Sequence, residues 1–548
     1  MKNRVFHSFI FTLGLSVPFA TFAMEIDVAT TVPHEFSEPS LVAPLQSQNL
    51  LHSLNAVNEL PDTHAPQVHD FRTRKQVRSL FVENTALPMV DIQLTFNAGS
   101  ARDSEVESGL YGLANMAAQL IDEGTPRYTA QEVASTFENV GARFSATAYR
   151  DMFVVRLRTL SDPDKMHTAV EMMLTLLKHA TFEPSNIQRV VSNTQIGQKQ
   201  LRENPSRLMN IRLYRAIYAK HPYAEPITGT NGSIKRIQPQ HLQKFRDQFL
   251  VAQNMNIAIT GKLNLKEAEK LANRISSHIA QGQAATALPL PVAASTFNIQ
   301  HIPYRSQQAH VSIAQLATTR NDPDYLALEI ANRMLGSGGF NSILMKELRV
   351  KRGLTYAVSS SFRFTQATGL FSLGYATRQD QLIESIQVAH QALINFVQQP
   401  IDAKQLQETK AGLIRAFPNQ YSSNASINAQ LGHIGFYRLP ANYLSDYAER
   451  VEKITAEDVQ RAIQKHLQPD RLTLVIVSEH LDKATLEKML QDNLLAPTFL
   501  TPTQHKINTM PTEKTTLAPM QEVVEPDLVP FDVPASILNN AHNESDVD

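Results

Sequence analysis

The chain has 548 residues with 51 basic and 52 acidic side chains, so its net charge of −1 gives no electrostatic footprint for nucleic acid. A hydrophobic content of 43% supports packed cores and excludes whole-chain disorder, and the length corresponds to about four structural units. Cysteine is absent, which excludes thiol catalysis, disulfide frameworks, iron–sulfur clusters and Cys-ligated zinc.

Lys2 and Arg4 open the chain, an apolar run from Phe9 to Phe19 follows, and Thr21-Phe22-Ala23 places small residues ahead of Met24. This is the pattern of a cleaved signal peptide over residues 1–23, and the apolar run is shorter than the ~20 residues needed to span a bilayer. The expected mature protein is exported, to the periplasm or beyond, and has no membrane anchor. Residues 24–70 are polar and Pro-punctuated, and read as an irregular leader.

A first domain is expected over residues 71–279. Ser79–Val82 and Val90–Phe96 read as strands, the second with strict alternation. A helix over about 112–123 is stopped by Gly124. The next helix opens at Thr129, with Glu132 at the capping-box position. Strands are expected at about 144–148 and 153–157, and long helices over 163–180 and 184–220. Ile237 and Ile257 recur as Ile454 and Leu474 with one shared offset of 217 residues (454 − 237 and 474 − 257). A shared offset across two elements implies a duplication. The Ala/Gln/Pro-rich segment 280–294 reads as a linker, 295–495 as the second domain, and 496–548 as a Pro/Thr/Glu-rich acidic tail. The fold class is α+β: two homologous domains, each a mostly antiparallel sheet with helices packed on one face.

The stretch from Gly112 to Thr125 contains Asn115, Ala118 and Gln119 ahead of a closing Gly124-Thr125. It resembles the signature helix of the insulinase (pitrilysin) zinc peptidases, in which an H-x-x-E-H motif holds the metal. Tyr128-Thr129-Ala130, Gly141-Ala142, His221-Pro222-Tyr223 and Gly229-Thr230 extend the resemblance, which covers about 75–495. On that alignment the two histidine positions fall on Asn115 and Gln119 and the glutamate position on Ala118. Carboxamides keep the i, i+4 spacing and lose the imidazole donors, and Ala118 cannot act as a base. The family's third ligand is a glutamate on a later helix, yet residues 184–202 contain no Asp or Glu. No metal ligand and no catalytic residue is therefore expected in this chain.

Other candidate sites are weak. His64, His69, His301 and His310 lack ligand spacing backed by a carboxylate. Gly336-Ser337-Gly338-Gly339 lacks the Gly-Lys-Ser/Thr ending of a phosphate loop and reads as a turn between helices.

In the second half, Arg349 and Tyr356 stand seven residues apart (356 − 349) within Leu348-Arg349-Val350-Lys351-Arg352-Gly353-Leu354-Thr355-Tyr356. This resembles the family's second signature, an arginine and a tyrosine that hold substrate backbone and stabilise a developing oxyanion. Arg352 is the nearest competitor, and Lys351 and Arg352 are expected to add only basic charge. The resemblance implies half of a clamshell. It implies a non-catalytic subunit that needs no cofactor of its own, pairs with an H-x-x-E-H subunit carrying zinc, and receives peptides or unfolded segments. An inactive scaffold or peptide-binding homologue, of the kind found in respiratory complexes, is the alternative.

Overall fold

Two sheets, of six and five strands, organise the computed structural model, which describes residues 65–495 apart from residue 202. The signal segment, most of the leader and the tail lie outside the described residues. The first sheet contains β1 (His69–Arg72), β2 (Arg78–Glu83), β3 (Met89–Phe96), β4 (Arg143–Ala148), β5 (Phe153–Leu160) and β6 (Met255–Gly261), in the order β1-β2-β6-β3-β5-β4. The second contains β7 (Asn298–Pro303), β8 (Gln308–Leu316), β9 (Val358–Arg363), β10 (Leu370–Arg378) and β11 (Thr473–Ser478), in the order β7-β11-β8-β10-β9. Omitting β1 makes the two orders identical. Each sheet is antiparallel except for one parallel pair, β2–β6 and β7–β11. The extra strand β1 begins at His69, inside the segment read as irregular leader.

The helices of the first half are α1 (Leu113–Leu120), α2 (Ala130–Asn139), α3 (Pro163–His179), α4 (Pro184–Leu201), α5 (Pro205–Tyr218), α6 (Pro239–Phe249) and α7 (Leu265–His278). Those of the second are α8 (Tyr325–Asn332), α9 (Leu382–Gln398), α10 (Ala403–Ala416), α11 (Asn424–Phe436), α12 (Tyr447–Lys453), α13 (Ala456–His466) and α14 (Lys483–Leu495). The capping box of α2 is present: Glu132 N donates to the Thr129 hydroxyl at 3.3 Å, and Thr129 N donates to the Glu132 carboxylate at 2.8 Å. The single helix expected over 184–220 is two. Asn204 caps α5 by accepting from Arg207 N at 3.1 Å, and Pro205 takes the first helical position. The 217-residue offset extends from α6 to α13 at both ends (456 − 239 and 466 − 249). Each copy closes on a helix, α7 or α14.

Helices do not cover one face alone. α5 leaves the first half to pack on β8 and β11, and α11 leaves the second half to pack on β6 and β3. Leu213, Tyr214 and Ile217 of α5 are buried with Ala314 and Val475, while Ile427, Leu431 and Ile434 of α11 are buried in one cluster with Leu80, Val82 and Ala258. Every residue of β6 and β11 is buried, as expected of strands covered on both faces. Close approach of α11 depends on glycine. A Cβ at Gly432 would stand 1.9 Å from Gln93 Nε2, and one at Gly435 would stand 2.4 Å from Asn256 Oδ1.

Polar contacts tie the halves together. The Tyr223 hydroxyl donates to Asp151, whose other oxygen accepts from Gln366 N at 2.8 Å, and Ala367 N donates to the Tyr223 hydroxyl at 3.1 Å. The segment 280–294 lacks regular structure but is pinned. His221 Nε2 donates to the Pro289 carbonyl at 2.9 Å, and Arg102 donates to the Thr286 carbonyl at 2.6 Å. Among the described residues, no helix is long and apolar enough to cross a membrane.

Burial pushes the pKa values of His390 and His433 both down to about 4, and His390 shows how such a ring contributes to an acid limit. His390 in α9 is fully buried, its Nε2 donates to the Pro469 carbonyl at 2.9 Å, and its Nδ1 faces the Asn493 amide nitrogen at 3.3 Å. Burial pushes its pKa down to about 4 from 6.5. A depressed folded-state pKa means the neutral ring stabilises the fold fully above about pH 6.5, and that contribution is lost as the pH falls toward 4. The loss is worth about 3 kcal/mol. Urea midpoints measured from pH 7 to pH 4 are expected to fall, and His390→Gln is expected to flatten that slope. An unchanged slope would remove His390 from the acid response.

Candidate functional site

Arg349 lies near the end of a π-helical segment, Met345–Val350. Gly353, at φ +65°, turns the chain out of it, with Gly353 N donating to the Arg349 carbonyl at 2.9 Å and Leu354 N to the Leu348 carbonyl at 2.8 Å. Buried Leu354 and Thr355 anchor the next stretch, the Thr355 hydroxyl donating to the Ala376 carbonyl at 2.6 Å. Tyr356 follows, 81% exposed, two residues before β9. These anchors bring the two residues together: the half-buried Arg349 guanidinium lies 4.4 Å from the centroid of the Tyr356 ring. It also lies 4.6 Å from the ring of Phe340, a residue sequence reasoning did not single out. Among the described residues, no hydrogen bond or ion pair takes up the Arg349 guanidinium or the Tyr356 hydroxyl.

Arg352 and Lys351 do more than add charge. Arg352, only 8% exposed, pairs with the Glu347 carboxylate at 2.7 Å and donates to the Glu347 carbonyl at 2.9 Å. Lys351 pairs with the same carboxylate at 2.6 Å. Burial works against the Glu347 charge, yet these two cations hold its carboxyl below the ordinary value. Arg352 is therefore a structural brace of the segment, which leaves Arg349 as the cation with open valences.

The degenerate positions lie on α1. Asn115 is half-buried, Ala118 is buried and Gln119 is exposed. Asp103 holds the start of this helix, accepting from the backbone N–H groups of Gly112, Leu113 and Ala114 at 2.7, 3.1 and 2.9 Å. Burial pushes its carboxyl up to about 8 while the three donors pull it down. Its oxygens are committed to the backbone. α4 packs beside α1 and brings no carboxylate. Two carboxamides, an alanine and an acid-free neighbouring helix do not fit a zinc ion.

Asp322, Asp324 and His466 do converge, with ligand-type atoms within 4.8 Å of one another. Sequence reasoning missed this group because His466 stands 142 residues beyond Asp324 in the chain. Asp324 is already paired with Lys465 at 2.7 Å, His466 at 3.0 Å and Arg461 at 3.3 Å, so the cluster is an ion-pair network closed by its own cations. His301 contacts the Ser478 hydroxyl at 3.0 Å, and His310 contacts the Ser206 hydroxyl at 3.4 Å. His64 lies outside the described residues.

Comparison with known proteins decides the family. A profile described as Insulinase (Peptidase family M16) matches residues 79–231, and one described as Peptidase M16 inactive domain matches residues 236–413. A solved peptidase M16 inactive domain from Pseudomonas fluorescens is 33% identical, with a TM-score of 0.71, over 76% of this chain and 98% of that one. The chain belongs to the insulinase (M16 peptidase) family. It is also similar to a Helicobacter pylori protein named non-peptidase homolog YmxG, at 23% identity over 75% of this chain and 94% of the relative. A third relative is the mitochondrial-processing peptidase subunit beta of Dictyostelium discoideum, at 21% identity over 69% of this chain and 82% of that one. With the ligand positions replaced, this M16 chain is a non-catalytic member of its family.

The zinc reading has a direct check. Purified alone, this M16 chain is expected to hold no stoichiometric zinc by elemental analysis. The combined Asn115→His, Ala118→Glu and Gln119→His variant is expected to remain without peptidase activity, because α4 supplies no third ligand. One chelator-removable zinc per wild-type chain, or robust cleavage by the triple variant, would overturn it.

Proposed function

We propose that the chain is the non-catalytic subunit of an exported zinc-dependent peptidase heterodimer. Arg349 and Tyr356 bind substrate in the zinc site of a partner that carries H-x-x-E-H. One observation carries this reading: a guanidinium and a phenol held together at an exposed turn, with their donors unused, in a chain whose zinc-ligand positions are all replaced. Two preorganised donors suit a peptide carbonyl, so the substrate class is peptides or unfolded segments. The mitochondrial-processing relative is by name one subunit of a peptidase, which supports pairing with a second family member. The n-region, short apolar run and small residues before Met24 support export to the periplasm.

The test is assembly. Co-expressed with an H-x-x-E-H family member from the same organism, the chain is expected to co-elute as a stable one-to-one complex. A chain that ignores every such partner would favour the second reading, a scaffold role, which the name of the non-peptidase relative supports.

A further inference from the structure

Phe340 is 62% exposed and belongs to none of the buried clusters. Its ring has one charged neighbour, the Arg349 guanidinium, 4.6 Å from the centroid. Phe340 and Tyr356 are both large, exposed hydrophobic residues, and their rings lie 4.6 and 4.4 Å from that cation. Exposed apolar side chains gathered around an unpaired donor group mark a binding surface better than scattered ones do.

The backbone aims this ring. Gly336 runs so close to β9 that a Cβ there would stand 2.4 Å from Ser360 Oγ and 2.7 Å from Ser360 N. Gly339, immediately before Phe340, sits at φ +62°, a conformation that glycine adopts without strain. The Ser342 hydroxyl then donates to the Gly339 carbonyl at 2.7 Å, closing the turn. This turn separates two π-helical segments, Arg333–Ser337 and Met345–Val350, a rare form of helix that is frequent at functional sites. The loop is thus built to place Phe340 beside Arg349.

A long arginine side chain loses rotamer freedom when it is fixed, and one exposed ring contact only partly offsets that loss. A second ring adds to the first without consuming any N–H donor, because cation–π attraction uses the charge and the ring face. A carboxylate partner would also fix the guanidinium but would occupy the groups a ligand needs.

We propose that Phe340 is a third residue of the site, a positioning residue that with Tyr356 brackets the Arg349 guanidinium and keeps its N–H donors free for a substrate carbonyl. This rests on the reading that Arg349 contacts substrate, and the test separates the two. In the chain alone, the Arg349 Nε–H signal, assigned by its loss in Arg349→Lys, is expected to report an ordered side chain in wild type and in Phe340→Tyr. It is expected to become mobile in Phe340→Ala and Phe340→Leu, while the melting temperature stays within about 2 °C because the ring packs on no core. In the heterodimer with peptide substrate, Phe340→Ala is expected to lower kcat/KM by about five- to thirtyfold, the factor equivalent to one cation–π contact that the partner and the peptide shield from water. Phe340→Tyr should restore it and Phe340→Leu should not. An ordered Arg349 signal in Phe340→Ala, or kcat/KM within twofold of wild type while Arg349→Ala is impaired, would overturn the positioning role and leave the site reading intact. If Arg349→Ala itself has no effect on peptide turnover, the site reading fails, and the spectroscopic arm still decides whether Phe340 orders the guanidinium.

Discussion

Arg349→Ala is expected to lower peptide turnover by the assembled heterodimer by about 10²–10³, equivalent to ~3–4 kcal/mol, with assembly and the partner's zinc content unchanged. That is the cost typical of removing one preorganised donor from a carbonyl that gains negative charge. Tyr356→Phe removes only a hydroxyl that is free in solvent, so it should fold normally and lose a similar or smaller factor. Arg349→Lys keeps the charge but not the planar fork, and should rescue only partly. Lys351→Ala is the appropriate control, since that side chain is 51% exposed and, among the described residues, its ion pair is with Glu347. Arg352→Ala is not a control. It strips a buried brace from Glu347 and is expected to cost about 1–3 kcal/mol of stability. If Arg349→Ala and Tyr356→Phe both stay within twofold of wild type, the pair is structural. If Arg349→Ala instead abolishes assembly, the scaffold reading gains.

The largest stability effect is expected at the junction of the halves. Asp151 is buried, and burial raises its carboxyl pKa against the pull of the Tyr223 hydroxyl, the Gln366 N–H and the charges of Arg102 and Arg150. Asp151→Ala leaves that hydroxyl and that N–H without their acceptor and removes a negative charge beside Arg150 and Arg102, the latter still paired with Glu105 at 2.6 Å. Breaking such a buried network costs about 3–5 kcal/mol. Tyr223→Phe removes a single hydroxyl and should cost about 1–3 kcal/mol. Urea unfolding followed by tyrosine fluorescence would measure both. A loss below about 1 kcal/mol for Asp151→Ala would show that apolar packing of the exchanged helices alone holds the halves. Should Asp151→Ala fail to fold, Asp151→Asn keeps the shape and one acceptor, and a smaller loss is expected.

What the sequence disclosed was local or periodic. The Thr129–Glu132 capping box and the 217-residue offset are short-range or repeated patterns, and both appear in the fold. β3 forms where its alternation placed it, but Val90–Phe96 are all buried, because α11 covers the face that Asp91, Gln93 and Thr95 share. Arg349 and Tyr356 were singled out by their resemblance to the family's second signature, not by any local pattern of their own. Three features were hidden for stated reasons. β1 has only four residues, too few to establish alternation. The break before Pro205 fell within an apolar period that continues on both sides, although Asn204-Pro205 was itself a stop signal. The exchange of α5 and α11 between sheets leaves no mark in either helix's period, because periodicity shows that a face is apolar but not which sheet it meets. Phe340 and Arg352 needed the fold for a related reason. Their roles depend on what a ring or a guanidinium faces across a turn.

Whether this chain completes a partner's active site is tested most directly by peptidase activity as the chain is titrated into a fixed amount of an H-x-x-E-H subunit. Neither protein alone is expected to cleave peptide appreciably, and activity is expected to rise to saturation near one chain per partner. The same titration with Arg349→Ala should saturate at the same ratio with a plateau lower by about two to three orders of magnitude. A partner fully active on its own, and unchanged by this chain, would contradict the account.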